Sequence, residues 1–405
     1  MRATGGSKDT EPQDTEPQDT EPQDTEPEQA RAATREALGG WLARQLASRG
    51  GRAVRLGELS EPDAGYSGRT VFAGASWTRA DGERQARELV VRVQVPDQQL
   101  FVAPDALRQA RTMAALAGEP GVPVPEIWFT ESDPGVLGAP FYVMDRVRGR
   151  VPGDVPSWHK KGWTVELPPA QREKLYDNGL AALVALHRVD WRPRLGFLAP
   201  PGAPAPARHP GSQEPSVPPV APGPGTALDR YLADLERWYE WCEPSRRFGP
   251  DILAAGLRHV LENRPDDPCE GVVWGDARVG NMCFADDQSV AALFDWEGAT
   301  IGPAGIDLGW WLMFERYLCE AQGLRRLDGI PDREGTIARY YELGGADVPD
   351  IDYYELLAAV VMTLITSKLA DVLIDSGRVT PDIAAIYPTR AVGLVTECLA
   401  RLSPR

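Results

Sequence analysis

Strand-like segments crowd into one stretch of this 405-residue chain and helical ones into the rest. That segregation limits the fold more than any other feature, because it excludes alternating strand–helix units and leaves a sheet with helices set apart from it. Between residues 50 and 146 the runs "RTVFAGASW", "ELVVRVQV", "VPEIWFTES" and "APFYVMDRV" read as strands, with polar turns at "RADGER" and at Asp133-Pro134-Gly135. In the second run Leu89, Val91 and Val93 alternate with Val90, Arg92 and Gln94, so Arg92 points to the face opposite the leucine. One helix, "PDALRQARTMAALAG", sits among them and puts Gln109, Met113 and Leu116 on one face. Ahead of the strands, "EALGGWLARQLAS" groups Leu38, Trp41, Leu42 and Leu46 as a short amphipathic helix that stops at Gly50 and Gly51. Beyond 147, helices are predicted at 226–242, 250–263, 307–323, 332–344, 352–375 and 383–402, with "GVVW" and "VAALFDW" as short buried strands among them.

Two stretches belong to neither class. Residues 9–27 repeat Asp, Thr, Glu, Pro and Gln with no apolar side chain to bury, so residues 1–30 are predicted to be a disordered acidic tail. Residues 198–225 hold ten prolines and four glycines and read as a long irregular loop inside the helical part. The domain reading is therefore a tail at 1–30, a sheet lobe at 31–146 and a helical lobe at 147–405 carrying the proline-rich loop.

Charge and cysteine content narrow the partners. Net charge is −16, of which −7 belongs to the first 28 residues, leaving a body at −9. Nucleic acid and anionic membrane both need clustered cations, so neither is expected as a partner. Cys242, Cys269, Cys283, Cys319 and Cys398 are widely spaced, with no C-x-x-C pair, which points to reduced thiols and a cytoplasmic location. No N-terminal segment resembles a signal peptide. The most apolar stretch, "ELLAAVVMTLITSKLADVL", is interrupted by Lys368 and Asp371 and reads as a core helix too short and too charged to span a bilayer.

The chemistry concentrates after the two short apolar segments. "VVWGDARVGN" places Asp276 and Asn281 five positions apart in a loop, and "LFDWEGA" ends the next segment with Asp295. Phosphoryl transfer from a nucleotide needs such a set: a carboxylate to accept or orient a hydroxyl, and oxygen ligands to hold magnesium against the phosphates. Magnesium takes few protein ligands and keeps waters and phosphate oxygens for the rest, so one amide oxygen and one carboxylate suit it. A lone D-x4-N is ordinary loop polarity; the third acid in order gives it weight. His187 reads as a structural hydrogen-bonder and the Trp310-Trp311 pair as core. "SWHK" lacks an accompanying K-T-G, and no GxxxxGK[ST] occurs, so neither a serine hydrolase nor a Walker site is indicated.

"GDARVGN" followed by "LFDWEGATIGPAGIDLGWW" strongly resembles the aminoglycoside phosphotransferase and choline kinase-like superfamily, in the branch related to the kinase-like domain of some acyl-CoA dehydrogenases. Weaker matches follow in order upstream: "GYSGRT", "ELVVRVQ", "GVPVPEI", "FYVMDRVRGR" and "LVALHRVDW", so that the resemblance covers residues 33–400. It implies an α+β, two-lobed protein-kinase-like fold, with a small antiparallel sheet lobe and a larger helical lobe. It also implies a transferase that phosphorylates a hydroxyl of a small molecule with ATP and magnesium, GTP being open. Carried over by position, Asp276 is the catalytic base, and Asn281 and Asp295 are the magnesium ligands. Arg278 neutralises the transferring phosphoryl group where many members have histidine. Glu297 supports the metal site, and Asp307 bonds loop backbone or caps a helix. Gly65, Ser67, Gly68 and Thr70 form the nucleotide loop, and Met144 marks the hinge.

Three positions depart from the family's pattern. The phosphate-holding lysine of the third strand is Arg92, the helix glutamate is Gln109, and Trp274 stands where histidine is usual. Arginine pairs phosphate even bidentately, Gln109 can orient it without supplying charge, and Trp274 keeps one N–H donor to brace the loop. The same departures motivate an alternative, a pseudokinase that binds nucleotide without transferring phosphate.

Overall fold

The computed structural model of the protein describes residues 28–61, 68–94, 100–102, 104–199 and 225–402. The acidic repeat, Gly65, Ser67 and nearly all of the proline-rich stretch lie outside the described residues. The chain opens with helix α1 (Glu28–Ser48), then strands β1 (Arg52–Ser60), β2 (Arg69–Thr78) and β3 (Arg84–Val93). Helix α2 (Ala106–Leu116) precedes strands β4 (Ile127–Glu131) and β5 (Phe141–Asp145). These five strands form one antiparallel sheet in the order β1-β2-β3-β5-β4. β2 and β3 stay in register from Arg69↔Val93 to Thr78↔Arg84, closed by the polar turn in which Arg79 N–H bonds the Glu83 carbonyl at 2.8 Å.

Side-chain alternation gives the sheet two apolar faces. On one, Leu38, Trp41, Leu42 and Leu46 of α1 pack on Val71, Leu89, Val91, Phe141 and Val143. Each such buried side chain contributes about 1.5–3 kcal/mol, which fixes α1 to the sheet, and the Trp41 indole N–H adds a 2.7 Å bond to Glu131. The opposite face presents Val90, Tyr142 and Met144 to Ala106, Ala110, Met113 and Leu116 of α2, continuous with the core of the helical half. Arg92 lies on this second face, as the alternation in the sequence predicts.

β1 is absent from the sequence reading. Its nine residues are exposed or half-buried throughout, and it pairs with β2 through two register shifts, so it lacks a clean period-two pattern.

The rest is mainly helical: α3 (Trp163–Glu166), α4 (Pro169–His187), α5 (Ala227–Trp241) and α6 (Pro250–Glu262), then, after a group of short strands, α7 (Gly305–Leu318), α8 (Arg333–Glu342), α9 (Ile351–Asp375) and α10 (Pro381–Leu402). The strands pair as β6 (Gly271–Val273) with β9 (Thr300–Gly302), and β7 (Met282–Phe284) with β8 (Val290–Leu293). α9 runs 25 residues and, with α10, is long and apolar enough by composition to cross a membrane. That corrects the reading of its sequence as too short; what the structure shows is a helix buried from Tyr353 to Leu364 in the core. α7 crosses it closely, because a Cβ on Gly309 would lie 2.5 Å from the Tyr354 carbonyl.

One backbone bond joins the sheet half to the helical half, and a bridge within the helical half ties its first residues to β7. Leu293 N–H of β8 bonds the Pro123 carbonyl at 2.8 Å, and Arg150 and Phe284 exchange a pair of backbone bonds at 2.8 and 2.9 Å.

Candidate active site

The site is built on the pairing of β6 with β9. Directly after β6 the backbone N–H groups of Trp274 and Gly275 donate to the Asp307 carboxylate at 2.7 and 2.8 Å. Asp307, fully buried in the first turn of α7, also meets His187 Nε2 at 3.2 Å, while His187 Nδ1 meets the Tyr340 hydroxyl at 2.8 Å. Asp307 therefore holds backbone in place, and His187 links it to Tyr340. Gly275 has φ +86°, and a Cβ there would lie 2.3 Å from the Gly298 carbonyl oxygen, so this turn accepts only glycine. The Trp274 indole N–H donates to the Phe294 carbonyl at 2.8 Å, and Phe294 N–H donates to the Asn281 carbonyl at 2.9 Å. The loop bearing Asp276 and Asn281 is thereby tied to the one bearing Asp295.

Asp276 leaves this braced turn with an asymmetric set of partners. Its Oδ1 accepts from Arg278 Nε at 2.9 Å and from the Trp310 indole at 2.8 Å; its Oδ2 accepts from Asn281 Nδ2 at 2.6 Å. Each carboxylate oxygen has two acceptor directions, so Oδ1 is filled and Oδ2 can take one more hydrogen bond. Asn281 donates through its nitrogen, which leaves its amide oxygen as a ligand atom. Arg278 forms a second ion pair with Asp154, and its guanidinium lies 4.8 Å from the Phe314 ring centre. Burial opposes the charge on Arg278, but Asp154 and Asp276 outweigh it and raise its pKa.

Asp295 follows Phe294 with φ +58°, a left-handed conformation uncommon for a non-glycine residue. Burial raises its pKa; Arg92 opposes the shift and Asp276 adds to it. Asp154 is raised in the same way, by burial first, against Arg278. A divalent cation would relieve such a crowd of carboxylates. Among the described residues no group of three or more His, Cys, Asp and Glu could hold a metal. Asp295 and the Asn281 amide oxygen are the atoms here that could hold a magnesium ion, a cation that takes few protein ligands.

Between the halves lies a cavity of about 330 Å3 lined by Thr70, Arg92, Met144, Asn281 and Asp295, with Phe72 and Val90 as apolar wall. Gly68 sits beside it, its Cβ position 3.3 Å from Arg92 Nε. So the described residues expected to bind nucleotide and metal converge on one cleft. Arg92 donates to Thr70 Oγ1 at 2.7 Å and pairs with Glu297 at 3.5 Å. Gln109 is buried and accepts from the Tyr142 hydroxyl at 3.4 Å. Sequence reasoning missed three contacts: Asp154 on Arg278, Glu297 on Arg92, and Trp310 on Asp276. Trp310, read as core, is indeed 5% exposed, yet its indole reaches the carboxylate. Its spacing of three from Asp307 on a helix was the available signal.

The sequence model of the Phosphotransferase enzyme family matches residues 58–343. The chain belongs to that family. Among curated relatives, acyl-CoA dehydrogenase family member 11 of Gallus gallus is 30% identical over 195 residues, covering 48% of this chain and 21% of its own. Family member 10 of Mus musculus is 26% identical over 330 residues, 78% of this chain and 27% of its own. The chain thus spans about a quarter of the length of these relatives. Among solved structures, a protein of Ralstonia eutropha assigned to the aminoglycoside phosphotransferases aligns with TM-score 0.62 at 21% identity, over 90% of this chain and 98% of its own. Aminoglycoside phosphotransferase APH(4)-Ia, in a ternary complex with AMP-PNP and hygromycin B, aligns at 0.52 and 15% identity over 89% and 98%. These likenesses establish the two-lobed kinase-like fold.

Proposed function

We propose that the protein transfers the terminal phosphoryl group of ATP to a hydroxyl of a small molecule, with magnesium. The observation that carries this is the open acceptor direction on Asp276 Oδ2, held beside a cleft that gathers Arg92, Asn281 and Asp295. Asp276 orients the acceptor hydroxyl and takes its proton as the oxygen attacks the γ-phosphorus and the bond to the β-phosphate oxygen breaks, releasing ADP. Arg92 draws the phosphates toward β3, and Arg278 offsets charge where the phosphoryl group passes. Asp295 and the Asn281 amide oxygen would hold magnesium, which would supply charge neutralisation at the phosphate oxygens. GTP fits the same chemistry, because a purine at Met144 meets mainly backbone. Free cysteines, four of them buried, support a reducing cytoplasm, and the acidic body opposes nucleic acid and membrane partners.

The alternative, a nucleotide-binding module without transfer, drew on Arg92, Gln109 and Trp274. Arg92 has a carboxylate in Glu297 and Trp274 still braces the loop, and both support turnover. The test is incubation of the full chain with labelled ATP, magnesium and a metabolite extract, followed by mass spectrometry for phosphorylated species. Product that disappears with Asp276→Asn supports the proposal. Nucleotide binding with no product from any acceptor pool would leave the binding-module reading.

A further inference from the structure

We infer that Glu297 is the positioning residue for Arg92, so that the loop after Asp295, and not helix α2, sets the phosphate-binding arginine. The inference rests on the proposal that nucleotide occupies this cleft. Arg92 stands on β3 in register with Thr70 of β2 and Tyr142 of β5, at the edge of the cavity. Its Nη1 donates to Thr70 and its Nη2 reaches Glu297 Oε1 at 3.5 Å, the two side chains being 16% and 8% exposed. Gly68 packs against the guanidinium from a third side. α2 contributes Gln109, a neutral amide engaged with the Tyr142 hydroxyl. Among the described residues, Asp295 and Glu297 face Arg92 from the helical half. Glu297 adds to that field a direct hydrogen bond and ion pair with the guanidinium at 3.5 Å.

The backbone around Glu297 suits that task. Trp296 donates its indole N–H to the Leu293 carbonyl at 3.2 Å, Ala299 N–H bonds the Trp296 carbonyl at 3.2 Å, and Gly298 abuts Gly275. Glu297 is thus fixed to the frame that carries Asp276, whereas Arg92 belongs to the sheet. Their ion pair spans the cleft and aligns the arginine with the residues of the helical half. A movement of α2 leaves this pair untouched; a change in the Asp295–Gly298 turn does not.

The test is the affinity of a fluorescent ADP for the full chain, measured in EDTA and in magnesium, for the parent, Glu297→Gln, Arg92→Gln and the double variant. The expected result is a roughly tenfold loss in EDTA for Glu297→Gln, and a double-variant loss no larger than that of Arg92→Gln alone. Glu297→Asp, which keeps the charge but withdraws it by one methylene, shows a loss of about threefold in EDTA and keeps the test readable if Glu297→Gln does not fold. Parent-like affinity of Glu297→Gln or Glu297→Asp in EDTA, with a loss only in magnesium, overturns the inference and makes Glu297 a servant of the cation. Additive losses overturn it too. Absence of any binding by the parent overturns the nucleotide reading itself, which distinguishes the two failures.

Discussion

Replacing Asp307 with alanine should unfold the helical half at a much lower temperature and silence the site together. The carboxylate is wholly buried and accepts the backbone N–H groups of Trp274 and Gly275 at 2.7 and 2.8 Å, plus His187 at 3.2 Å. Alanine strands two backbone donors in the interior, each costing about 1–3 kcal/mol, so the loss centres near 4 kcal/mol. For a cooperative unit the size of the helical half, that lowers the melting temperature by roughly 8–16 °C. Asp307→Asn keeps one acceptor oxygen and should lose about half as much. The assay is thermal melting followed by near-ultraviolet circular dichroism, with turnover measured well below the transition, where the turn bearing Asp276 is no longer held. An Asp307→Ala protein that melts within about 2 °C of the parent would refute the idea that this carboxylate holds the turn.

Three further outcomes are expected. Trp310→Phe removes the 2.8 Å indole bond to Asp276 Oδ1 and should lower turnover roughly tenfold while the nucleotide KM holds, since the lost bond costs about 1.5 kcal/mol at the base alone; an unchanged kcat excludes it as a support. Asp295 has its pKa raised by burial, so metal-free protein keeps this proton above the usual carboxylate range. Its contribution to stability is present at low pH and fades as pH rises through the folded value, while magnesium-nucleotide affinity should weaken as pH falls through it. Calorimetric titration across that window checks the sign, and a pH-independent affinity contradicts it. Gly275→Ala places a methyl group 2.3 Å from Gly298 at φ +86° and should cost about 3 kcal/mol or more in urea unfolding.

The candidate site residues Asp276, Asn281 and Asp295 were readable as a set because they fall in order in loops directly after two short apolar runs. Arg92 was readable from alternation, since a charge on the β3 face opposite Leu89 and Val91 must look into the cleft. Their supports were not. Asp154 pairs with Arg278 across 124 residues and Glu297 with Arg92 across 205, distances over which periodicity carries no signal. Trp310 sits in an α7 segment buried on nearly every side, so its one polar contact is hidden among apolar ones. β1 escaped because charged Arg52, Arg55 and Glu58 and two register shifts blur its alternation. β9, three residues long, is defined by its partner β6 more than by its own sequence.

The backbone bond from Leu293 N–H to the Pro123 carbonyl joins the sheet half directly to β8, the strand that precedes Asp295. Pro123 lies just ahead of β4 and Leu293 ends β8 two residues before Asp295. A shift of the sheet against the helical half is therefore passed through backbone to the Asp295 turn, with no side chain as intermediary.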